Sequence, residues 1–445
     1  MSLVRKKRAG ALRFVDLLIK EVRNIQNEIL SVVLEPEDKA AFYRDLLLRR
    51  WYAIKDHPFN SPSAGTIYAT DSSDCTIELA GGGIIHITRA AALSNQQDEI
   101  RKLKLHAFYP PSDEELTEYR KLVREHLEHE VALEAIQELK GEDAILIDGS
   151  IFGRMLHVFK ILKIPGKEDF MIQYVRTLHQ LLEECTRKNI ILLGVAKDSR
   201  STLLKEALLI ELLAERVKND PKIWTTVETL LMRFRRRPHD ALKLLKRVSN
   251  EIGEEICRIL QELLNKTPDY KMIIASKVST GFSHPLKMEI KHVSSGFIKI
   301  VMDHKQRADL ARKLAASLPE KASIEEVHEA LSCISSYPPV AVLYAKFAEK
   351  DIPLRIDIIH PEVERWRIEG RVGFAAGGWE SITARALALL YNLYAGLKNY
   401  NVLLTHVDQY VKMTHRVKEE YKNKIESLIK VLIQQSRGAR RVSFP

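Results

Sequence analysis

Residues 144–155 read AILIDGSIFGRM: four apolar residues, then Asp148, Gly149 and Ser150, then apolar residues again. An apolar run this short, preceded by the turn-like Gly141-Glu142-Asp143, predicts a strand buried on both faces. Asp148 then stands at its carboxyl end, where open α/β sheets place ligand-binding groups. A plainer reading exists, in which Asp148 only caps the following turn and Gly149 supplies a positive φ. The sequence on either side has to decide between them.

Downstream, a helix over roughly 168–187 leads into NIILLGVAKDS (189–199), a second apolar strand that ends at Lys197 and Asp198. Upstream, Ser112 or Asp113 is placed to cap a helix running to Lys140, with Glu114 and Glu115 in its first turn. Before that helix, TIYATDSSDCTIELAGGGIIHITRAAAL (66–93) contains three strand-like runs, 66–71, 75–80 and 84–90. A Ser/Asp turn and Gly81-Gly82-Gly83 separate them, the pattern of an antiparallel meander with Asp71 near the end of its first strand. Three strands, helix, strand, helix, strand is the order of a ribonuclease H-like sheet, an α/β fold in which helix crossovers add parallel strands to a meander.

The remaining chain surrounds this unit. Residues 1–59 read as a helical arm that runs into the linker-like HPFNSPSAGT (57–66). The ribonuclease H-like domain is expected over 60–200 and 336–435, interrupted by a mainly helical insertion at 201–335. Within the insertion, MIIASKV (272–278) and MEIKHVSSGFIKIVMD (288–303) look strand-like. IPLRIDII (352–359) returns to strand character, a helix follows at 379–397, and residues 401–435 form a long final helix before a basic tail at 436–445.

With 445 residues, 45% of them apolar, the chain has ample material for a core, yet its apolar runs fall well short of the roughly 18 residues of a membrane span. The basic, amphipathic amino terminus carries no signal-type apolar segment, so a cytoplasmic location is expected. Cys75, Cys185, Cys257 and Cys333 form no C-x-x-C pair, which removes a zinc ribbon or a disulfide framework from consideration. A net charge of +10 favours a polyanionic partner. No G-x-x-x-x-G-K-[ST] loop is present, so any duplex unwinding falls to a separate ATPase.

In the expected sheet the ends of the Asp71 and Asp148 strands converge. Two carboxylates held close repel one another unless a cation lies between them, and hard oxygen ligands select Mg²⁺ or Mn²⁺. Two such ions activate water and stabilise a leaving oxygen in phosphodiester hydrolysis. A third carboxylate is expected from REHLEHEVALEAIQEL (124–139), where Glu130 and Glu134 share a helical face. His126 and His129 do not make a zincin site, because position 133, where H-E-x-x-H requires histidine, holds Leu133.

Asp71, the glutamate-bearing helix, LIDGS (146–150), LLGVAKDS (192–199), PLRIDI (353–358) and a late Tyr…His element occur in an order that resembles the NurA nucleases of archaea. The resemblance covers about 60–415 and implies a sheet related to the Argonaute PIWI domain. It also implies a Mn²⁺-dependent DNA nuclease that forms dimers and works with the hexameric ATPase HerA in DNA end resection. Carried over residue by residue, Asp71, Glu130, Asp148 and His406 take the metal-binding positions, and Tyr400 takes the late tyrosine. Two departures stand out: TDSS replaces the usual DGS at the first aspartate, and His406 follows Tyr400 by six residues where the family pattern has eight. Lys197 is placed to offset charge on the phosphate.

Arg233, Arg235, Arg236, Arg237, Lys243, Lys246 and Arg247 form the densest basic cluster and are candidates to track a DNA backbone, or else form a solvated face. The leading expectation is a two-metal nuclease of single- and double-stranded DNA, for which the family resemblance implies 5′–3′ exonuclease and single-strand endonuclease activity. The alternatives are a non-catalytic clamp or HerA-positioning module, and an RNA-directed nuclease.

Overall fold

The computed structural model describes residues 13–33, 35–55, 65–157, 159–236, 238–293, 295–318, 322–369, 373–436 and 438. The expectations for the extreme amino terminus, for most of the 57–66 linker, for Arg237 and for most of the basic tail fall outside these residues.

β1 (Ile67–Glu78), β2 (Ile84–Ser94) and β3 (Glu99–Phe108) form the antiparallel meander. Helix α1 (Asp113–Ala135) crosses to β4 (Ala144–Asp148); the short α2 (Ile151–Met155) and then α3 (Phe170–Lys188) lead to β5 (Ile191–Ala196). Ser112 caps α1, its side chain accepting from the Glu115 amide. β4 lies parallel to β1, with Ile67 opposite Ala144 and Thr70 opposite Ile147, and β5 lies parallel to β4, with Asp148 opposite Val195. β6 (Val340–Lys346) and β7 (Leu354–Ile359) complete the centre, which runs β6-β7-β5-β4-β1-β2-β3 within a mixed sheet of twelve described strands.

Both faces of the central strands are covered, which is why β4 and β5 read as unbroken apolar runs. Ile145 and Ile147 of β4 pack into the core shared with α1 and α3. Ala144 and Leu146 point the other way, into a core completed by the helix Glu380–Asn392 and by α4 (Val402–Val411).

Several local expectations change. Ser72 and Ser73 are not a turn: they pair with Ala90 and Arg89, so Asp71 lies inside a continuous strand. The third strand of the meander is β3, whose charged, alternating sequence EIRKLKLHAF suits a half-exposed strand. The run at 272–278 is largely the helix Asp269–Ala275, and 288–303 contains the helix Gly296–Met302, started by Ser295, whose side chain accepts from Ile298 N. Short apolar runs do not separate strand from helix, and for the second of these the Ser295 cap decided. The final helix is broken. α4 stops at Val411, Arg89 donates to the carbonyls of Val411 and Lys412 at 2.8 Å each, and Thr414 caps a new helix, His415–Ile429. Within the amino-terminal segment, Trp51–Ala53 is a strand paired with Gly281–Ser283, which itself pairs with β6.

Candidate active site

Strand register brings the two aspartates together. The β1–β4 ladder ends at Thr70 opposite Ile147, so Asp71 and Asp148, the next residue on each strand, lie side by side on one face of the sheet. That face carries Ala69, Ala144 and Leu146 and is the one covered by α4. Asp71 is only 9% exposed, and one of its oxygens accepts from the Ser72 amide at 2.7 Å. Burial, together with the charges of Glu128, Asp148 and Asp408, pushes its carboxyl up to about 8.

Asp148 is held from two sides. Lys197, just beyond β5, places its ammonium 3.0 Å from Asp148 Oδ2 and 3.4 Å from the Tyr400 hydroxyl, 5.0 Å from the Tyr400 ring centroid. Burial tends to discharge Lys197, but Asp148 and Tyr400 outweigh it and raise its pKa; burial and Asp148 likewise raise that of Tyr400. Beneath, the backbone of the Asp148-Gly149-Ser150 loop rests against Gly194 of β5. A Cβ at Gly194 would meet Gly149 O at 2.7 Å and Ile151 N at 2.9 Å, so only glycine lets the loop close over the strand. Gly149 itself has φ +109°. Ser150 caps α2 and donates to Asp357 Oδ2 at 2.6 Å, Phe152 N donates to the same oxygen at 2.9 Å, and Arg355 Nε pairs with the other oxygen of the buried Asp357 at 2.9 Å.

The third carboxylate is not the one expected from the sequence. Glu130 pairs with Lys104 at 2.5 Å and faces His126 at 3.6 Å, and Glu134 pairs with Lys102 at 3.3 Å, all toward β3. Glu128 faces β1 instead, and its charge acts on Asp71. Its carboxylate accepts from Ser72 Oγ and is paired with Arg154, and burial raises its pKa. Two residues along a helix turn a side chain by about 200°, so Glu128 and Glu130 necessarily face opposite ways. The same rule turns His406 and Asp408 about 200° apart on α4: both are exposed, and Asp408, eight positions beyond Tyr400 in the sequence, is the one whose charge acts on Asp71. Burial of Glu128 in α1, amid Leu127, His129 and Val131, is the one sequence signal that marks it: an ionisable residue set within the apolar stripe.

Of the basic cluster, Arg233, Lys243, Lys246 and Arg247 are exposed on the helix pair Pro221–Arg236 and Pro238–Ile252. Arg235 and Arg236 belong to the first of these helices.

Asp71, Asp148 and Glu128 are hard oxygen donors, and Asp71 is buried among like charges, which is the electrostatic situation a divalent cation resolves. Among the described residues no three His, Cys, Asp or Glu side chains already enclose a point, and Asp148 and Glu128 are paired with Lys197 and Arg154. An ion held by Asp148 would have to take the place of Lys197. No described helix is long and apolar enough to cross a membrane.

None of the curated proteins compared with the sequence matches it. Among solved structures, the fold is similar to the NurA nuclease from Sulfolobus solfataricus, with a TM-score of 0.52 and 13% identity over 94% of this chain and 98% of that one. A second structure, of NurA with manganese, aligns at a TM-score of 0.39 and 17% identity over 93% and 98% of the two chains. The NurA domain family matches residues 65–412, the span that contains every residue of the site just described, and the chain belongs to that family.

Proposed function

We propose that this chain is a divalent-metal-dependent nuclease that hydrolyses phosphodiester bonds of DNA. The observation that carries the reading is the register that sets Asp71 beside Asp148, with the charge of Glu128 on α1 acting on Asp71. The strand order β3-β2-β1-β4-β5, meander first and parallel crossovers after, supports a ribonuclease H-like sheet.

Asp71 and Asp148 would hold Mn²⁺ or Mg²⁺, with Glu128 completing the shell; two ions suit the chemistry. Bound there, the metal supplies Lewis-acid polarisation of the phosphate and an activated water. The residues of the chain do the rest. Asp71 would hold the ion as a carboxylate, Asp148 would hold it in place of Lys197, and the Lys197 ammonium, backed by the Tyr400 ring, would be free to meet phosphate charge. Arg233, Lys243, Lys246 and Arg247 offer an exposed basic surface for the DNA backbone.

Family resemblance extends the proposal to 5′–3′ exonuclease and single-strand endonuclease activity, action as a homodimer, and DNA end resection with a HerA-type hexameric ATPase in the cytoplasm. The test is degradation of end-labelled single-stranded and duplex DNA with Mn²⁺ and with chelator, beside Asp148→Ala. Metal-dependent cleavage lost in the variant supports the reading. Equal cleavage by the folded variant overturns it, and no cleavage by wild type with or without the ATPase favours a clamp.

A further inference from the structure

Arg154 is the last charged residue of the AILIDGSIFGRM stretch, and none of the roles described so far uses it. Its side chain is 5% exposed, a charge carried into the interior at a substantial desolvation cost. The guanidinium spends its donors on three groups. Nη2 pairs with Glu128 Oε2 and donates to the Asp148 carbonyl oxygen at 2.9 Å, while Nη1 donates to His129 Nε2 at 3.1 Å. Burial and the neighbouring cation keep His129 neutral, so it serves as the acceptor.

These contacts join two otherwise separate elements. Glu128 comes from the middle of α1, and Asp148 from the end of β4. Arg154 follows the aspartate by one short helix and reaches back to the glutamate. With Ser72 Oγ on the other oxygen of Glu128, the carboxylate is held at both ends, Ser72 being the neighbour of Asp71. The Glu128 side chain and the Asp148 backbone are therefore tied to one guanidinium, and the strand that carries Asp71 meets Glu128 through the hydroxyl of Ser72.

We propose that Arg154 is a positioning residue for metal binding, a fork that fixes the Glu128 carboxylate against the Asp148 strand end so that the acidic set presents a constant geometry to a divalent ion. This rests on the nuclease reading above. A planar guanidinium bridges two acceptors at once, which an ammonium at the end of a flexible stem does not reproduce. Supporting groups of this kind set metal affinity by about 10- to 100-fold.

The experiment uses the full chain and compares wild type with Arg154→Lys, which keeps the charge and removes the fork. Mn²⁺ affinity is measured by isothermal titration, and DNA cleavage as a function of Mn²⁺ concentration is followed alongside. The expected result is a folded variant whose Mn²⁺ Kd is weakened about tenfold or more, with cleavage falling in step. A folded variant with wild-type Kd overturns the proposal. A second variant, Arg154→Ala, is titrated with and without added guanidinium chloride. Recovery of Mn²⁺ affinity on adding guanidinium supports the positioning role, and a Kd indifferent to it counts against. Unfolding of both variants also overturns the proposal, since Arg154 would then hold the core rather than the ligand. Wild type that binds Mn²⁺ but cleaves nothing defeats the nuclease reading alone, because the affinity comparison still stands.

Discussion

Replacing Asp71 by asparagine should make the metal-free protein more stable, although it removes a central residue of the site. In the folded chain burial and neighbouring carboxylates push Asp71 from its ordinary 3.8 up to about 8. Between those values the native state binds a proton that the unfolded state does not. Stability therefore falls as pH rises through this window, by about 1.4 kcal/mol per pH unit, and the slope vanishes above the folded value. At pH 7 the window has been crossed for about 3 units, an upper bound of about 4 kcal/mol. Glu128 shares the same repulsion, so about half of that, roughly 2 kcal/mol, is expected to return when asparagine supplies the shape of the protonated acid without the proton. Urea denaturation in chelator at pH 5 and pH 7 reads it: the advantage of Asp71→Asn should be clear at pH 7 and much smaller at pH 5. Added Mn²⁺ should reverse the order, stabilising wild type by mass action and leaving the variant unmoved. A variant no more stable than wild type at pH 7, or one with the same advantage at both pH values, refutes the argument that Asp71 is held among uncompensated like charges.

Three other outcomes follow from the same geometry. Mn²⁺ binding should release protons and tighten with rising pH, by up to about tenfold per unit below pH 8, levelling above it; titrations in buffers of different ionisation enthalpy measure this. Gly194→Ala should push the Asp148-Gly149-Ser150 loop off β5, costing about 1 to 3 kcal/mol in denaturation and most of the cleavage. Replacing Lys243, Lys246 and Arg247 together by alanine should weaken DNA binding alike for all sequences and reduce the slope of log affinity against log salt by up to about 3, read by fluorescence anisotropy.

The opening stretch was legible because β4 is buried on both faces and its apolar run stops where the side chains of the next residues meet other groups. That pattern alone places Asp148 at a strand end and Asp71 on a neighbouring strand. What the sequence did not disclose was register. Asp71 lies inside β1 rather than at its end, and it meets Asp148 because the parallel ladder stops one residue earlier, a property of two strands that neither reveals alone. The third carboxylate failed for a related reason. Glu130 and Glu134 make a solvated pair of ion pairs with β3, whereas Glu128 is affordable in the core only because Ser72 and Arg154, distant in sequence, meet it there. The charge of Asp408 on Asp71 was not looked for, because the late element was read for its histidine, and His406 and Asp408 lie about 200° apart on one helix.

The most direct measurement is the Mn²⁺-dependent cleavage rate of end-labelled DNA by Glu128→Gln beside Glu130→Gln, each confirmed as folded. The account predicts that Glu128→Gln loses about a hundredfold or more while Glu130→Gln stays within about twofold of wild type. Cleavage retained by Glu128→Gln and lost by Glu130→Gln would contradict it, and would place the acidic centre on the other face of α1.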